Sequence, residues 1–415
     1  MQNLQTFANQ FVESTRDYIF IRPEDSLVIM RPNKTHHLNE VAREMLSRLY
    51  AQPAVDVAVL VDSIAGDYGE KPEVVAKDLE KLLQTLNGLL RDDYSQASQV
   101  KFTPFKTHEI KFPVLSEIAL TYRCQHKCPF CYADAPRRGG KVGEMTAEQV
   151  CRIIDCIRDD AHVPTISFTG GEPTLVPDLP RWVARAKAQG MTVVVQTNGL
   201  LAWRDDFWDS FRDATGRAVL PDCLFVSFHT RHPDRVEVLT GLGQTFLYKV
   251  AAVRAAVARG VHVELNFVIQ NGNLDEVPTF PAFVLETFGA AVSIMFSVVA
   301  PTGRSSQRPD LWPTMNDLAP RLASALQIAT ALGIRVSIPE ACGVPICVLP
   351  SWRSVFQSLS RDRDVGPPAE DRVKPPLCST CAVNERCIGI WRRYAEVHGT
   401  GEFVPILDPG GNQDL

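Results

Sequence analysis

From about residue 112 onward the chain repeats one pattern, an apolar strand-like run followed by a helical stretch, and this repeat limits the available folds more than any other feature. Candidate strands span 115–121, 165–168, 192–196, 224–227, 261–269 and 292–298, and helical periodicity follows each of the first five. Six such βα repeats predict an α/β fold with a parallel sheet. The helix after the first strand opens with Thr146-x-x-Gln149, a capping-box spacing, and later ones end near Gly190 and Gly260, where glycine favours a C-terminal cap. Chemistry in parallel sheets gathers at the carboxyl ends of strands. Three polar motifs fall there: a cysteine group after strand one, Gly170-Gly171-Glu172-Pro173 after strand two, and Thr197-Asn198-Gly199 after strand three.

The first hundred residues follow a different pattern. Strand-like 18–21 and 27–30 flank a turn-prone segment, and a helix follows with Asn39 as N-cap and Val41, Met45, Leu46 and Leu49 on one face. Residues 55–68 also read as helical, and Val75, Leu79, Leu82, Leu83 and Leu86 repeat at helical spacing after Pro72. Two strands and about three helices predict a small winged-helix-like domain over 1–100. Residues 91–101 read as its linker, 101–305 as the βα core, 306–415 as an irregular Cys- and Pro-rich extension, and 408–415 as disordered.

With 43 basic against 48 acidic residues, the 415-residue chain carries a net charge of −5. That balance disfavours a general grip on nucleic acid or on an anionic membrane. No apolar run approaches the roughly 18–20 residues that span a bilayer, and the N-terminus lacks a secretory layout, so a cytoplasmic location is expected. In that reducing compartment 11 cysteines point to metal or redox work rather than disulfides. They divide into Cys124, Cys128 and Cys131; Cys342, Cys347, Cys378, Cys381 and Cys387; and the singles Cys151, Cys156 and Cys223, read as small buried hydrophobes. Three thiolates can hold three corners of a [4Fe–4S] cube and leave one iron open. Zinc is the alternative, but closed zinc sites want four ligands, and His126 is poorly placed to supply the fourth.

Cys124-Gln125-His126-Lys127-Cys128-Pro129-Phe130-Cys131, with an aromatic before the third cysteine, resembles the signature of the radical S-adenosylmethionine (SAM) superfamily. Gly170-Gly171-Glu172-Pro173, about 40 residues downstream, is similar to that superfamily's GGE motif. The resemblance implies a partial (β/α)6 TIM-barrel core in which the open iron binds SAM and one electron releases a 5′-deoxyadenosyl radical. It implies that the GGEP segment meets SAM's amino group, with a carboxylate suited to an ammonium. It also implies cofactor contacts for Phe130, Asn198, Ser227 and Asn266. Related peptide-modifying enzymes carry an arginine where this chain has Leu239, so Arg235 is the remaining candidate for carboxylate recognition. His229 and His232 either approach substrate or face solvent.

Cys378-x2-Cys381-x5-Cys387, preceded by Cys342 and Cys347, resembles the SPASM or twitch extensions that carry auxiliary iron–sulfur clusters. The full pattern continues to a further cysteine where this chain has Trp391, so the resemblance implies one auxiliary [4Fe–4S] cluster on Cys347, Cys378, Cys381 and Cys387. Cys342 is either an alternative ligand or a buried thiol, and zinc on the same four thiolates is the competing assignment.

Residues 16–93 resemble PqqD-like domains, which implies capture of a precursor peptide's leader by strand addition. The expected activity is therefore radical SAM modification of a ribosomally made peptide by crosslinking, epimerisation or oxidation, with flavodoxin or ferredoxin as electron donor. A radical SAM enzyme for a small metabolite or cofactor precursor, and a non-catalytic iron–sulfur peptide scaffold, are the alternatives.

Overall fold

The structure is a computed structural model that describes residues 2–16, 19–30, 34–52, 54–90, 105–106, 115–339, 342–356, 363–364 and 370–407. The expected linker at 91–101 and the tail at 408–415 lie outside the described residues. The chain divides into two compact units, Met1–Lys111 with Ser360–Gly366 and Phe112–Leu359 with Pro367–Leu415. The Cys-rich extension thus packs with the βα core as one unit.

The smaller unit runs α1 (Gln2–Thr15), β1 (Ile19–Arg22), β2 (Leu27–Met30), β3 (Lys34–His37), α2 (Glu40–Tyr50), α3 (Val57–Tyr68) and α4 (Pro72–Leu90). Its strands form an antiparallel sheet in the order β1-β2-β3. Asn39 caps α2 by accepting the Ala42 N–H at 2.8 Å, satisfying a donor the first turn leaves free. Leu46, Leu49, Leu79, Leu83 and Leu86 pack with Val28 and Met30 in one core. The unit holds one helix and one strand more than the sequence predicts. Helix α1 places Leu4, Ala8, Phe11 and Val12 on the core side, whereas β3, reading Lys-Thr-His-His, has no apolar alternation to announce it.

The larger unit holds a seven-stranded, all-parallel sheet. Its strands are β4 (Leu115–Thr121), β5 (Thr165–Gly170), β6 (Thr192–Thr197), β7 (Cys223–Ser227), β8 (His262–Ile269), β9 (Ser293–Val298) and β10 (Val336–Ser337), side by side in chain order. The two-residue β10 is an addition to the six expected strands. Helices α5 (Ala147–Asp159), α6 (Leu179–Ala188), α7 (Phe246–Ala258), α8 (Phe280–Phe288) and α9 (Met315–Ala331) accompany the sheet. One face of the strands is apolar and fully buried: Ile166, Phe168, Val193, Val195, Leu224, Val226, Phe267 and Phe296. The other carries Glu117, Thr169, Gln196, Ser227, Glu264 and Asn266. A parallel sheet covered on both faces would be apolar throughout; this alternation lines a polar lumen instead. The sheet does not close, since β4 and β10 are unpaired edges. Loops bridge the gap: the Arg304 N–H donates to the Cys131 carbonyl at 3.1 Å. Cys342, just past the last strand, lies close enough to Glu117 on the first to feel its charge. Among the described residues no helix is long and apolar enough to cross a membrane.

In the turn between β1 and β2, Arg22 donates to both carboxylate oxygens of Asp25 at 2.9 and 2.7 Å, with the two side chains only 0% and 2% exposed. Removing the Asp25 carboxylate takes a charge-assisted, two-point hydrogen bond from a buried guanidinium, at a cost of about 1.5–3 kcal/mol. Asp25→Ala is therefore expected to lower the denaturation midpoint of the transition reporting the smaller unit, measured by urea unfolding. An unchanged midpoint would show the pair is dispensable.

Candidate functional site

The cysteine loop leaves the end of β4 and is clamped from two sides. The Lys127 N–H donates to the Thr240 carbonyl at 2.7 Å, and Arg304 Nη1 reaches the carbonyls of Lys127 and Cys128 at 2.9 and 3.2 Å. Gly303 fits because it has no side chain: a Cβ there would meet the Tyr132 and Cys131 carbonyl oxygens at 2.3 and 2.6 Å. Cys124, Cys128 and Cys131 are free thiols that interact electrostatically with one another. Burial pushes Cys124 up to about 11 and Cys128 up to about 12, so only a strong Lewis acid would hold them as thiolates near neutrality.

The end of β5 crosses directly over the start of this loop. The Gly171 N–H donates to the Thr121 carbonyl at 2.6 Å and the Glu172 N–H to that of Arg123 at 2.9 Å. A Cβ on Gly170 would lie 2.2 Å from the Thr121 oxygen, and one on Gly171 2.3 Å from the Arg123 oxygen. Only glycine permits this approach. Glu172 is 0% exposed. Its Oε1 accepts the Thr174 N–H, the Thr174 hydroxyl and the Thr197 hydroxyl at 3.1, 2.6 and 2.7 Å, and its Oε2 accepts the Asn198 N–H at 2.6 Å. Its carboxyl, raised by burial against those bonds, faces the chain. Through the Asn198 N–H it fixes the position of that residue, and Pro173 is buried beside it.

Asn198 Nδ2 lies 3.0 Å from Gln125 Oε1 and 3.9 Å from the Cys124 sulfur. Ser227 and Asn266 are partners in the β7–β8 register, and Asn266 Oδ1 accepts the Ser297 hydroxyl at 2.8 Å. Phe130 packs beneath the loop with Val299, Leu311 and Trp312, edge-on to His229 at 5.1 Å. The structure therefore gathers the three cysteines, the Gly170-Gly171 crossing, Asn198, Ser227 and Asn266 at one end of the sheet.

Other expectations change. Arg235 is committed to Asp275 and Glu276 at 2.7 and 3.1 Å, so it is no free carboxylate receptor. His229 is buried rather than solvent-facing, and Cys156 is exposed rather than a core residue. Lys249 was missed: buried, with Nζ donating to the Ser227 carbonyl at 2.7 Å. Its signal was available, a lysine in phase with the buried Val250, Val253 and Ala256 of α7.

In the extension Cys347, Cys378, Cys381 and Cys387 line a single pocket with Pro345, Leu377 and Phe403. Burial pushes Cys347 up to about 12, aided by the other three sulfurs. Cys342 is not among the lining residues; it neighbours Arg372 and Glu117 instead. Trp391, where a further cysteine would continue the pattern, stacks on the Arg372 guanidinium at 3.4 Å. By donor chemistry, three thiolates suit a four-iron cube with one open iron, and four thiolates suit either a second cube or a tetrahedral zinc ion.

His229 Nδ1 accepts the Val268 N–H at 3.2 Å, which requires the neutral ring. Burial, and then the Lys249 charge, pull it down to about 3. Below the usual histidine value of about 6.5 the unfolded chain takes the proton that the folded chain refuses, so stability falls with pH, by up to about 1.4 kcal/mol per unit. Urea midpoints of the metal-free protein are expected to decline from pH 7 to pH 5, and His229→Gln, an acceptor that does not titrate, to flatten that decline. Equal slopes would exclude His229 as the cause.

The model of the radical SAM superfamily matches residues 118–279, and that of coenzyme PQQ synthesis protein D (PqqD) matches residues 26–89. A PqqA peptide cyclase of Streptomyces rochei is 31% identical over 158 residues, covering 38% of this chain and 41% of that protein. A 7,8-dihydro-6-hydroxymethylpterin dimethyltransferase of Methanocaldococcus jannaschii is 38% identical over 89 residues, 21% of this chain and 17% of its own. The chain thus spans less than half the length of these curated relatives. Among solved structures, Streptococcus suis SuiB bound to S-adenosylmethionine matches with a TM-score of 0.55 at 14% identity, over 77% of this chain and 71% of that one. SuiB bound to its precursor peptide SuiA matches at 0.54, with the same identity and coverage. At that identity the likeness speaks for the fold, an α/β radical SAM fold. The chain carries a radical SAM domain, with a PqqD domain preceding it.

Proposed function

We propose that this protein is a radical SAM peptide maturase, in which residues 1–100 hold the leader of a ribosomally made precursor, 101–305 form the catalytic core and 306–415 carry an auxiliary cluster. The observation that carries the reading is the crossing of Gly170-Gly171 over the cysteine loop, which joins the two radical SAM motifs into one site. Cys124, Cys128 and Cys131 would hold a [4Fe–4S] cluster with one open iron, and Cys347, Cys378, Cys381 and Cys387 a second. When bound, the first cluster and SAM supply a 5′-deoxyadenosyl radical, the cofactor's share of the chemistry.

The chain's own residues orient and enclose. Gly170 and Gly171 admit close backbone approach, Asn198 is fixed by Glu172, and Ser227 and Asn266 present polar groups side by side. The polar lumen formed by Glu117, Gln196 and Glu264 offers hydrogen bonds to a substrate backbone and side chains. The likeness of this chain to a PqqA peptide cyclase and its PqqD domain favour a peptide substrate. A precursor leader is read as adding a strand at an edge of the β1-β2-β3 sheet. Flavodoxin or ferredoxin is the expected electron donor. A small-molecule substrate is favoured only by the likeness to the pterin enzyme, which covers 21% of this chain.

Incubation of the reconstituted protein with SAM and dithionite is expected to release 5′-deoxyadenosine, and Cys128→Ala to abolish that release while leaving the smaller unit folded. Persistent failure by the wild-type protein with full iron would contradict the radical reading. For the substrate, a precursor encoded beside the gene is expected to bind the full chain through its leader and to change mass on turnover. If neither happens, the small-molecule reading replaces the peptide one.

A further inference from the structure

Lys249 is the one buried ammonium beneath the strand ends among the described residues. It lies on the core-facing stripe of α7, and its Nζ reaches inward to the Ser227 carbonyl. That carbonyl is its only hydrogen-bond partner among the described residues, and no carboxylate forms an ion pair with it. Burial lowers its pKa to about 8, and its Cα lies 3.9 Å from where a Cβ on Gly199 would sit, next to the Asn198 amide that reaches the Cys124 sulfur at 3.9 Å. Glu172 already serves four donors.

His229 Nδ1 accepts the Val268 N–H at 3.2 Å, so that buried ring is neutral and brings no positive charge of its own. His126 Nε2 has no hydrogen-bond partner among the described residues. A buried ammonium satisfied by one carbonyl is costly, and the cost falls when an anion occupies the space it faces. Three thiolates on an oxidised four-iron cube leave that assembly one unit negative, and one electron makes it more so.

We propose that Lys249 is a positioning residue whose fixed charge balances the negative cluster on Cys124, Cys128 and Cys131 and makes that cluster easier to reduce. The inference rests on the cluster assignment made under Proposed function. A cation in a low-dielectric interior favours the more negative oxidation state of its neighbour, and cluster potentials respond to local charge. The hydrogen bond to Ser227 serves the same end by holding the ammonium at the end of β7.

The test is a redox titration followed by electron paramagnetic resonance on the reconstituted full chain. Wild type, Lys249→Met and Lys249→Arg are compared, and the signal absent from Cys128→Ala identifies the first cluster. The expected result is a lower midpoint potential in Lys249→Met and a near-wild-type value in Lys249→Arg. An unchanged potential in Lys249→Met would overturn the proposal, including the case where SAM affinity, measured by calorimetry without reductant, falls instead. If Lys249→Met takes up no iron at the first site, retention of that iron by Lys249→Arg supports the charge role, and loss in both contradicts it. Absence of the signal from wild type would sink the cluster assignment itself, a separate failure.

Discussion

Everything at the open end of the barrel depends on one backbone crossing, where Gly170 and Gly171 pass against the carbonyls of Thr121 and Arg123. Side chains at either glycine would push the second strand away from the loop that carries the cysteines. Immediately beyond the crossing, the buried Glu172 carboxylate takes donors from Thr174, Thr197 and Asn198. Three strand ends are thereby locked together by backbone and side-chain bonds that no solvent competes for. The Glu172 carboxylate is the brace that sets the geometry of these strand ends.

The second constraint is charge. The lumen is polar, and among the described residues Lys249 is the one buried ammonium beneath the strand ends, with the buried His229 ring neutral. Such a site is suited to an anionic occupant, and the Cys124 and Cys128 thiols are too basic to be anions unaided. The extension repeats this logic in a second place, where four cysteines line one pocket and burial with the other three raises the basicity of Cys347. Cys342, with Arg372 as neighbour, is not among the residues that line this pocket.

The strands of the core were legible because their buried faces alternate with polar lumen positions, a period-two signal that follows from burying one face only. The helix caps at Asn39 and Thr146 were legible because capping is local chemistry. Strand β3 was not, since its pairing with β2 owes nothing to its own apolar content. Long-range partnerships were equally hidden: Arg235 meets Asp275 and Glu276 some forty positions away, and Glu172 meets Thr197 across a strand. The cysteine spacing located both sulfur sites, but only the folded chain separates Cys342 from the pocket. Lys249 was legible in principle, because a lysine in phase with an apolar stripe must be buried or break the helix packing.

The central claim is that the two cysteine groups build two separate four-iron sites. Its most direct test is a count of iron, sulfide and zinc per chain after anaerobic reconstitution. The account predicts about eight irons and eight sulfides in the wild type, about four of each in Cys128→Ala and about four in Cys381→Ala. Four irons with one equivalent of zinc in the wild type, or a loss of all iron from either single variant, would contradict it.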